Sequence, residues 1–331
     1  MKKTFTAFIF MFLVFNAFAQ NPNLGTAGAQ FLEIPAGAKA AALGGAYIGL
    51  SNDVSSVFWN PAGLSRLNRN AAEFSYMRWF DQFDYNSLAA AFKLEGVGMI
   101  GASLVIFGMD ELEITTEFEP NGTGRFYDAQ DIAFGLTFSR NLTDRFSTGI
   151  TIKYISQRIW NESATGIAFD IGTQYRLDFQ NLTIAMRMGN FGPDLSFEGE
   201  DLEIVHDIDE GLPQNRLTSA RLITEAYPLP LTFQVGIGID VYDSDFLSIR
   251  SGLDAVHPND NSERVLFGTE LGFFDRLFLR GGYKYNYDDE DFTFGAGANI
   301  PFASSLVSFD YAYSMYDILP AVHRVSVGLE F

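Results

Sequence analysis

The feature that most constrains this chain is an alternation of period two that recurs, segment after segment, from about Ala71 to the end. Leu231, Phe233, Val235, Ile237, Ile239 and Val241 are separated by Thr232, Gln234, Gly236, Gly238 and Asp240. Val265, Phe267, Thr269, Leu271 and Phe273 alternate with Arg264, Leu266, Gly268, Glu270 and Gly272, and similar tracts run at 146–154, 182–188, 277–287, 292–300 and 307–315. Successive side chains of a strand face opposite sides, so each tract has one apolar face and one small, polar or charged face. A soluble sandwich alternates as well, so length and face chemistry must decide. The tracts run about 10–13 residues, against about 5–6 in soluble sheets, and a tilted strand needs that length to cross a bilayer. Lys153, Arg187, Arg280 and Lys284 stand mid-strand on the polar face, which suits a wet or plugged lumen. Tyr283, Tyr285, Tyr287, Tyr311 and Tyr313 gather toward strand ends, where aromatic girdles form.

The tracts divide into fourteen strands, near 71–79, 84–94, 97–107, 128–139, 145–157, 164–177, 181–189, 230–241, 245–255, 263–273, 276–287, 290–300, 304–315 and 322–331. The stretch 110–118 reads as part of a loop. Connections after even-numbered strands are short, as at Glu95-Gly96 and Phe274-Asp275, whereas the two long ones, 108–127 and 190–229, follow odd-numbered strands. Outer-membrane barrels put short turns in the periplasm and long loops outside, and an even count returns both ends to the periplasm. The expected fold is all-β, a 14-stranded transmembrane antiparallel β-barrel over 71–331. The last strand alternates Val325, Val327, Leu329 and Phe331 with Arg324, Ser326, Gly328 and Glu330. Its terminal Phe331 resembles the recognition signal of the outer-membrane barrel-assembly machinery, although a final strand also simply closes the sheet.

Composition supports the same reading. Lys2 and Lys3, the apolar run Phe5 to Phe15 and Ala17-Phe18-Ala19 form a basic start, a hydrophobic stretch and a small-residue cleavage site. Residues 1–19 are therefore expected to be a signal peptide that exports the chain through the inner membrane. The run is too short for a spanning helix, which needs roughly 20 apolar residues, and without cysteine at the cut no lipid anchor is expected. The absence of Cys excludes disulfides, thiolate catalysis and cysteine metal sites. With 41 acidic against 22 basic residues the chain opposes nucleic-acid binding. Its 33 Phe and 14 Tyr oppose the disorder that acidity alone would suggest.

Residues 20–70 do not alternate. Ala36 to Gly45 is rich in Ala and Gly, Ser51-Asn52-Asp53 can cap a short helix, and Phe58-Trp59-Asn60-Pro61-Ala62-Gly63 is turn chemistry. Small residues let a backbone pack closely on barrel walls, and Phe58, Trp59 and Leu64 would be poorly placed in a solvated tail. The expectation is an N-terminal plug, or hatch, with Phe58, Trp59, Asn60 and Pro61 as gate candidates. Gly28-Ala29-Gln30-Phe31-Leu32 with Ile34-Pro35, Ala41-Ala42-Leu43-Gly44-Gly45-Ala46-Tyr47, Asn52-Asp53 and Trp59-Asn60-Pro61-Ala62-Gly63-Leu64, in that order, resemble the opening of the PorV/PorQ family. That family is related to the FadL-type transporters of long-chain fatty acids, whose hatch carries a similar Asn-Pro-Ala, and both groups have fourteen strands. The resemblance implies a role in type IX secretion, in which PorV-like members bind the C-terminal signal domain of exported cargo and pass it to the attachment machinery.

No enzymatic signature stands out. Gly-x-Ser-x-Gly, His-Glu-x-x-His and phosphate-loop patterns are missing. Of the three histidines, His206 and His257 fall in expected loops and His323 begins the last strand. Asp288-Asp289-Glu290-Asp291 lacks the spacing of a calcium loop and reads as a solvated tip, or one bridged by divalent ions to lipopolysaccharide. No cofactor or metal is expected. Two features could carry function. The loop 190–229 is acidic in its first half and ends with Leu222, Ile223, Tyr227 and Leu229, which suits a partner-binding surface. Gly96, Gly98 and Gly101 in the third strand could mark a kink that opens the wall. The expected partners are outer-membrane lipid, lipopolysaccharide, the assembly machinery and type IX components or cargo C-terminal domains; the alternative is a FadL-like transporter of hydrophobic small molecules.

Overall fold

The computed structural model describes residues 23–80, 83–206 and 218–331. The expected signal peptide lies outside the described residues. Fourteen antiparallel strands form one closed sheet: β1 Ala71–Arg78, β2 Phe83–Leu94, β3 Gly98–Met109, β4 Ala129–Asn141, β5 Phe146–Ile159, β6 Glu162–Arg176 and β7 Thr183–Phe191 make one half. The other half is β8 Thr232–Asp243, β9 Leu247–Pro258, β10 Arg264–Phe273, β11 Leu277–Tyr285, β12 Glu290–Phe302, β13 Ser305–Tyr316 and β14 Val322–Glu330. Each strand pairs with its sequence neighbours, and β1 pairs with β14 from Ala71↔Glu330 to Met77↔Arg324. Closure leaves no sheet edge unpaired, the condition for a sheet to live in hydrocarbon.

The period-two pattern sorts cleanly onto two faces. On β4, Phe134, Leu136 and Phe138 are exposed on the outside while Ala133, Thr137 and Ser139 are buried inside. On β5, Ile150, Ile152 and Tyr154 face out, and Thr151 and Ile155 face in. In a membrane the outer set meets lipid, so its exposure is no liability. Many of the lumen's charged side chains pair with one another. Arg280 donates to Glu270 at 2.6 Å and to Asp310 at 2.5 Å, Arg250 meets Glu270 at 2.5 Å, and Lys284 meets Glu290 at 2.6 Å. Across the barrel, Asp170 holds both Lys153, at 2.8 Å, and Arg187, at 3.2 Å. These are the mid-strand cations of the sequence, each with a named counter-ion, as buried charges require.

Several boundaries differ from the sequence reading for reasons of pairing. β9 runs on to Pro258 because Thr232 and Phe233 of β8 pair with Pro258 and His257, so His257 is a strand residue and not a loop residue. Within the long 110–128 connection, Leu112–Glu113 pairs with Phe126–Tyr127. In the second long loop Glu203–His206 pairs with Thr218–Arg221, and Glu198–Gly199 adds to the start of β6. Glu290 and Asp291 begin β12, as the expected strand 290–300 has it, which leaves only Asp288 and Asp289 of the acidic run at the tip.

Candidate functional site

The N-terminal segment is built from short helical turns: Gln30–Glu33, Ala38–Ala42, Ser56–Trp59 and Pro61–Arg66. They touch inward-facing positions of strands from opposite sides of the cylinder. The Ala38 amide donates to Ser326 Oγ of β14 at 2.8 Å, and Thr293 Oγ1 of β12 to the Ala42 carbonyl at 3.1 Å. Asp254 of β9 accepts from the Tyr47 and Ile48 amides at 2.8 and 3.1 Å. Gln174 of β6 donates to the Ile48 and Ser51 carbonyls at 2.9 and 3.0 Å.

The contact is close because the wall is glycine where the segment passes. A methyl at Gly282 would lie 2.2 Å from the Gly44 nitrogen, one at Gly238 2.6 Å from the Gly49 oxygen, and one at Gly149 2.4 Å from the Pro61 carbonyl carbon. Gly268, Gly252 and Gly172 face Leu43, Ala46 and Asn60 in the same way. These positions belong to six different strands, so the wall offers a belt on which backbone meets backbone at five positions and the Asn60 side chain at Gly172.

Asn60 is fully buried. Its Nδ2 donates to the Ile48 and Thr173 carbonyls, both at 3.2 Å, while its Oδ1 accepts from the Ala62 amide at 3.1 Å. Pro61 opens the turn that follows, where its missing N–H costs nothing. Phe58 and Trp59 point the other way and line a chamber of about 550 Å³ beneath the outer mouth. Phe31, Trp79, Tyr85, Phe107 and Tyr316 supply further apolar wall, and Lys153, Arg187, Arg264 and Lys284 bring charge to it. Arg264 lies 4.3 Å from the Tyr287 ring and 3.6 Å from Glu33. Burial pushes the Glu33 carboxyl above its usual range, with Arg264 opposing.

On the opposite side of the segment, at the periplasmic strand ends, lies a cavity of about 100 Å³ bordered by Lys39, Asp53, Glu73, Arg250, Arg280 and Asp310. Burial alone would raise the Asp53 carboxyl. The Lys39 ammonium at 2.7 Å, with hydrogen bonds from Ser55 and Tyr47, outweighs it and holds Asp53 down at about 2.

The third-strand glycines serve different ends. Gly96 lies in the turn before β3, with φ +73 and nothing near its would-be Cβ. Gly98 sits at the strand start against the Ser139 carbonyl, and Gly101 receives Leu64 and Val57 of the segment at 2.8 Å from its would-be Cβ. β3 pairs without a register shift with β2 from Gly98 to Met109 and with β4 from Met99 to Gly108.

The long loop separates its three candidates. Leu222 is exposed and Ile223 is 95% exposed, whereas Tyr227 turns inward. Its hydroxyl donates to Gln157 at 3.0 Å, and its ring fills the space over Gly28. Phe331 follows β14, with its amide on the Asn70 carbonyl at 2.9 Å and its ring half exposed. Sequence reasoning missed Gln174 and Asp254, polar residues amid the inward glycines of β6, β8 and β9 that grip the segment. A carboxylate facing a glycine-rich inner wall was the available signal. It also missed the Lys39–Tyr47–Asp53 cluster.

Residues 17–182, half of the 331-residue chain, match the family described as "Type IX secretion system protein PorV". The chain belongs to the PorV family. Solved barrels similar to it include the Pseudomonas putida toluene transporter TodX, at a TM-score of 0.54 and 11% identity over 87% of this chain and 96% of that one. The CymD monoaromatic hydrocarbon channel matches at 0.54 and 12% over 89% and 96%. A Pseudomonas aeruginosa FadL homologue matches at 0.51 and 13% over 86% and 95%. At such identities the likeness is one of fold. No curated protein matches. This PorV-family barrel resides in the bacterial outer membrane, with its long loops outside.

Proposed function

We propose that this PorV-family barrel works as a docking component of type IX secretion, holding secretion components or cargo C-terminal domains against its outer loops, and that it is not an enzyme. The observation that carries this reading is the outer face. Phe118, Ile223 and Ile318, each about nine-tenths exposed, project from three different outer loops. They stand among Glu117, Glu119, Glu225 and Asp317. Apolar tips with a charged surround are the anatomy of a protein interface, and the excess acid favours a basic partner. The N-terminal segment acts as a plug on its glycine belt, which leaves the outer surface as the working part. Deleting 195–225 tests this: partner retention in a mild-detergent pull-down should be lost while the barrel still folds. Unchanged retention would sink the reading.

The chamber favours a second reading, a binding and transport site for hydrophobic small molecules. Its wall sets aromatic rings such as Phe31, Phe58, Trp59, Trp79, Tyr85 and Phe107 beside charged side chains and opens between segment and strands, a form common to small-molecule sites. Uptake of an apolar substrate should then fail when Asn60 and Pro61 are replaced, because both seat the plug. Normal uptake in that variant would count against this second role.

A further inference from the structure

The chamber and the periplasmic cavity abut the same thin stretch of the N-terminal segment. Trp59 borders the chamber, Lys39 and Asp53 border the cavity, and one fully buried ring, Tyr47, lies between them. Tyr47 meets Trp59 edge-on, with centroids 6.1 Å apart and planes at 81°, and its hydroxyl donates to Asp53 Oδ2 at 2.6 Å. Lys39 Nζ donates to the same oxygen at 2.7 Å and lies 5.6 Å from the Tyr47 ring centre. Trp59 Nε1 is held by the Ala36 carbonyl at 2.8 Å.

Around this contact the segment is seated partly by backbone and partly by side chains. Main-chain atoms of Leu43, Gly44, Ala46, Gly49 and Pro61 rest directly on wall glycines with no room for a methyl group, whereas Val57 and Leu64 meet Gly101 through their side chains. At the Tyr47–Trp59 contact the partition between chamber and cavity consists of side chains, held by the ring contact and by the Tyr47 hydroxyl on Asp53.

The geometry points to a gate at this contact: Trp59, Tyr47 and the Lys39–Asp53 pair close an interrupted aqueous path through the barrel, and that path carries small inorganic ions. The ion specificity follows from the far side. An apolar molecule passing Tyr47 would enter a space bordered by Lys39, Asp53, Glu73, Arg280 and Asp310, where it would displace the solvation of buried charges. A small ion entering the same space meets charges of both signs that offset the hydration it sheds. The gate goes beyond both readings of function above, since neither docking nor hydrophobic uptake requires an ionic path.

The test is current through the purified full-length barrel in a planar lipid bilayer under potassium chloride. The unaltered protein should be silent or open rarely. Tyr47→Ala should show discrete steps, and Asp53→Asn, which keeps the packing but loosens the hydroxyl and ammonium contacts, should open more often than the unaltered protein. Barrel integrity in each variant is read from heat-modifiable gel migration. A folded Tyr47→Ala barrel as silent as the parent overturns the gate. So do equal steps from Met99→Ala, a cut in the β3 side of the seal, because they would place the leak at the wall. Steps from Tyr47→Ala in a barrel that neither retains partners nor takes up apolar substrate would uphold the gate while both functional readings failed.

Discussion

Replacing Gly282 by alanine adds one methyl where the N-terminal segment touches β11. The new Cβ would stand 2.2 Å from the Gly44 nitrogen, 2.3 Å from the Leu43 carbonyl carbon and 2.5 Å from Thr293 Oγ1. Two of these are backbone atoms. With carbon contacts settling near 3.5 Å, the segment must withdraw by about 1.3 Å. That retreat takes the Thr293–Ala42 hydrogen bond, now 3.1 Å, beyond bonding range and loosens the fully buried Leu43. Overpacking of this kind costs about 1–3 kcal/mol. At a tenfold change per 1.4 kcal/mol, the undocked population rises roughly fivefold to a little over a hundredfold. Trypsin reads that population at Lys39, whose following residue Ala40 is fully buried in the docked segment. Cleavage after Lys39, followed by mass spectrometry on the detergent-solubilised barrel, should accelerate by that factor, since it tracks opening when reclosure is fast. The neighbouring Gly281 has nothing within 4 Å of its would-be Cβ, so Gly281→Ala should cleave at the parent rate. Equal rates for the two variants would refute close packing as the force that seats the segment.

Two further outcomes are expected. Leu136→Arg places a charge at the middle of the lipid face of β4, where Leu136 is 53% exposed. It should lower the folding free energy into lipid vesicles by about 2–4 kcal/mol in a urea titration, and a loss under about 1 kcal/mol would place the residue at the interface instead. The Asp53 carboxyl is depressed to about 2 in the folded chain, against roughly 3.9 when unfolded. Its ionic contribution is therefore complete above about pH 4 and fades as pH falls through about 2. Tryptophan emission of the parent should converge on that of Asp53→Asn over that window, and a gap that stays constant from pH 5 to pH 2 would contradict the assignment.

The barrel was legible because its solvent enforces a simple code. Lipid demands apolar side chains at every second position, so β4 and β5 could be read residue by residue, and loop lengths supplied the orientation. Ends were harder, since pairing can carry a strand past its apolar tract: His257 belongs to β9 only because Phe233 extends opposite it. Asn60 and Pro61 were visible as turn chemistry, but the reason for their placement was not. It lies in Gly149, Gly172 and Thr173, about 90 to 110 residues away along the chain, a separation no local pattern encodes. The third-strand glycines show the same limit. A kink and a close approach both select glycine, and only the position of Leu64 distinguishes them at Gly101.

The glycine belt also fixes an order of events. Its surface is contributed by β5, β6 and β8 to β11, and the Ala38 amide reaches Ser326, 288 residues further along. The part of the chain made first thus has no seat until nearly the last part has been threaded into the sheet. Contacts of such range form late because the loop they close must be ordered beforehand. The leading segment therefore waits unseated while the sheet closes, and its docking on the glycine belt comes late in folding.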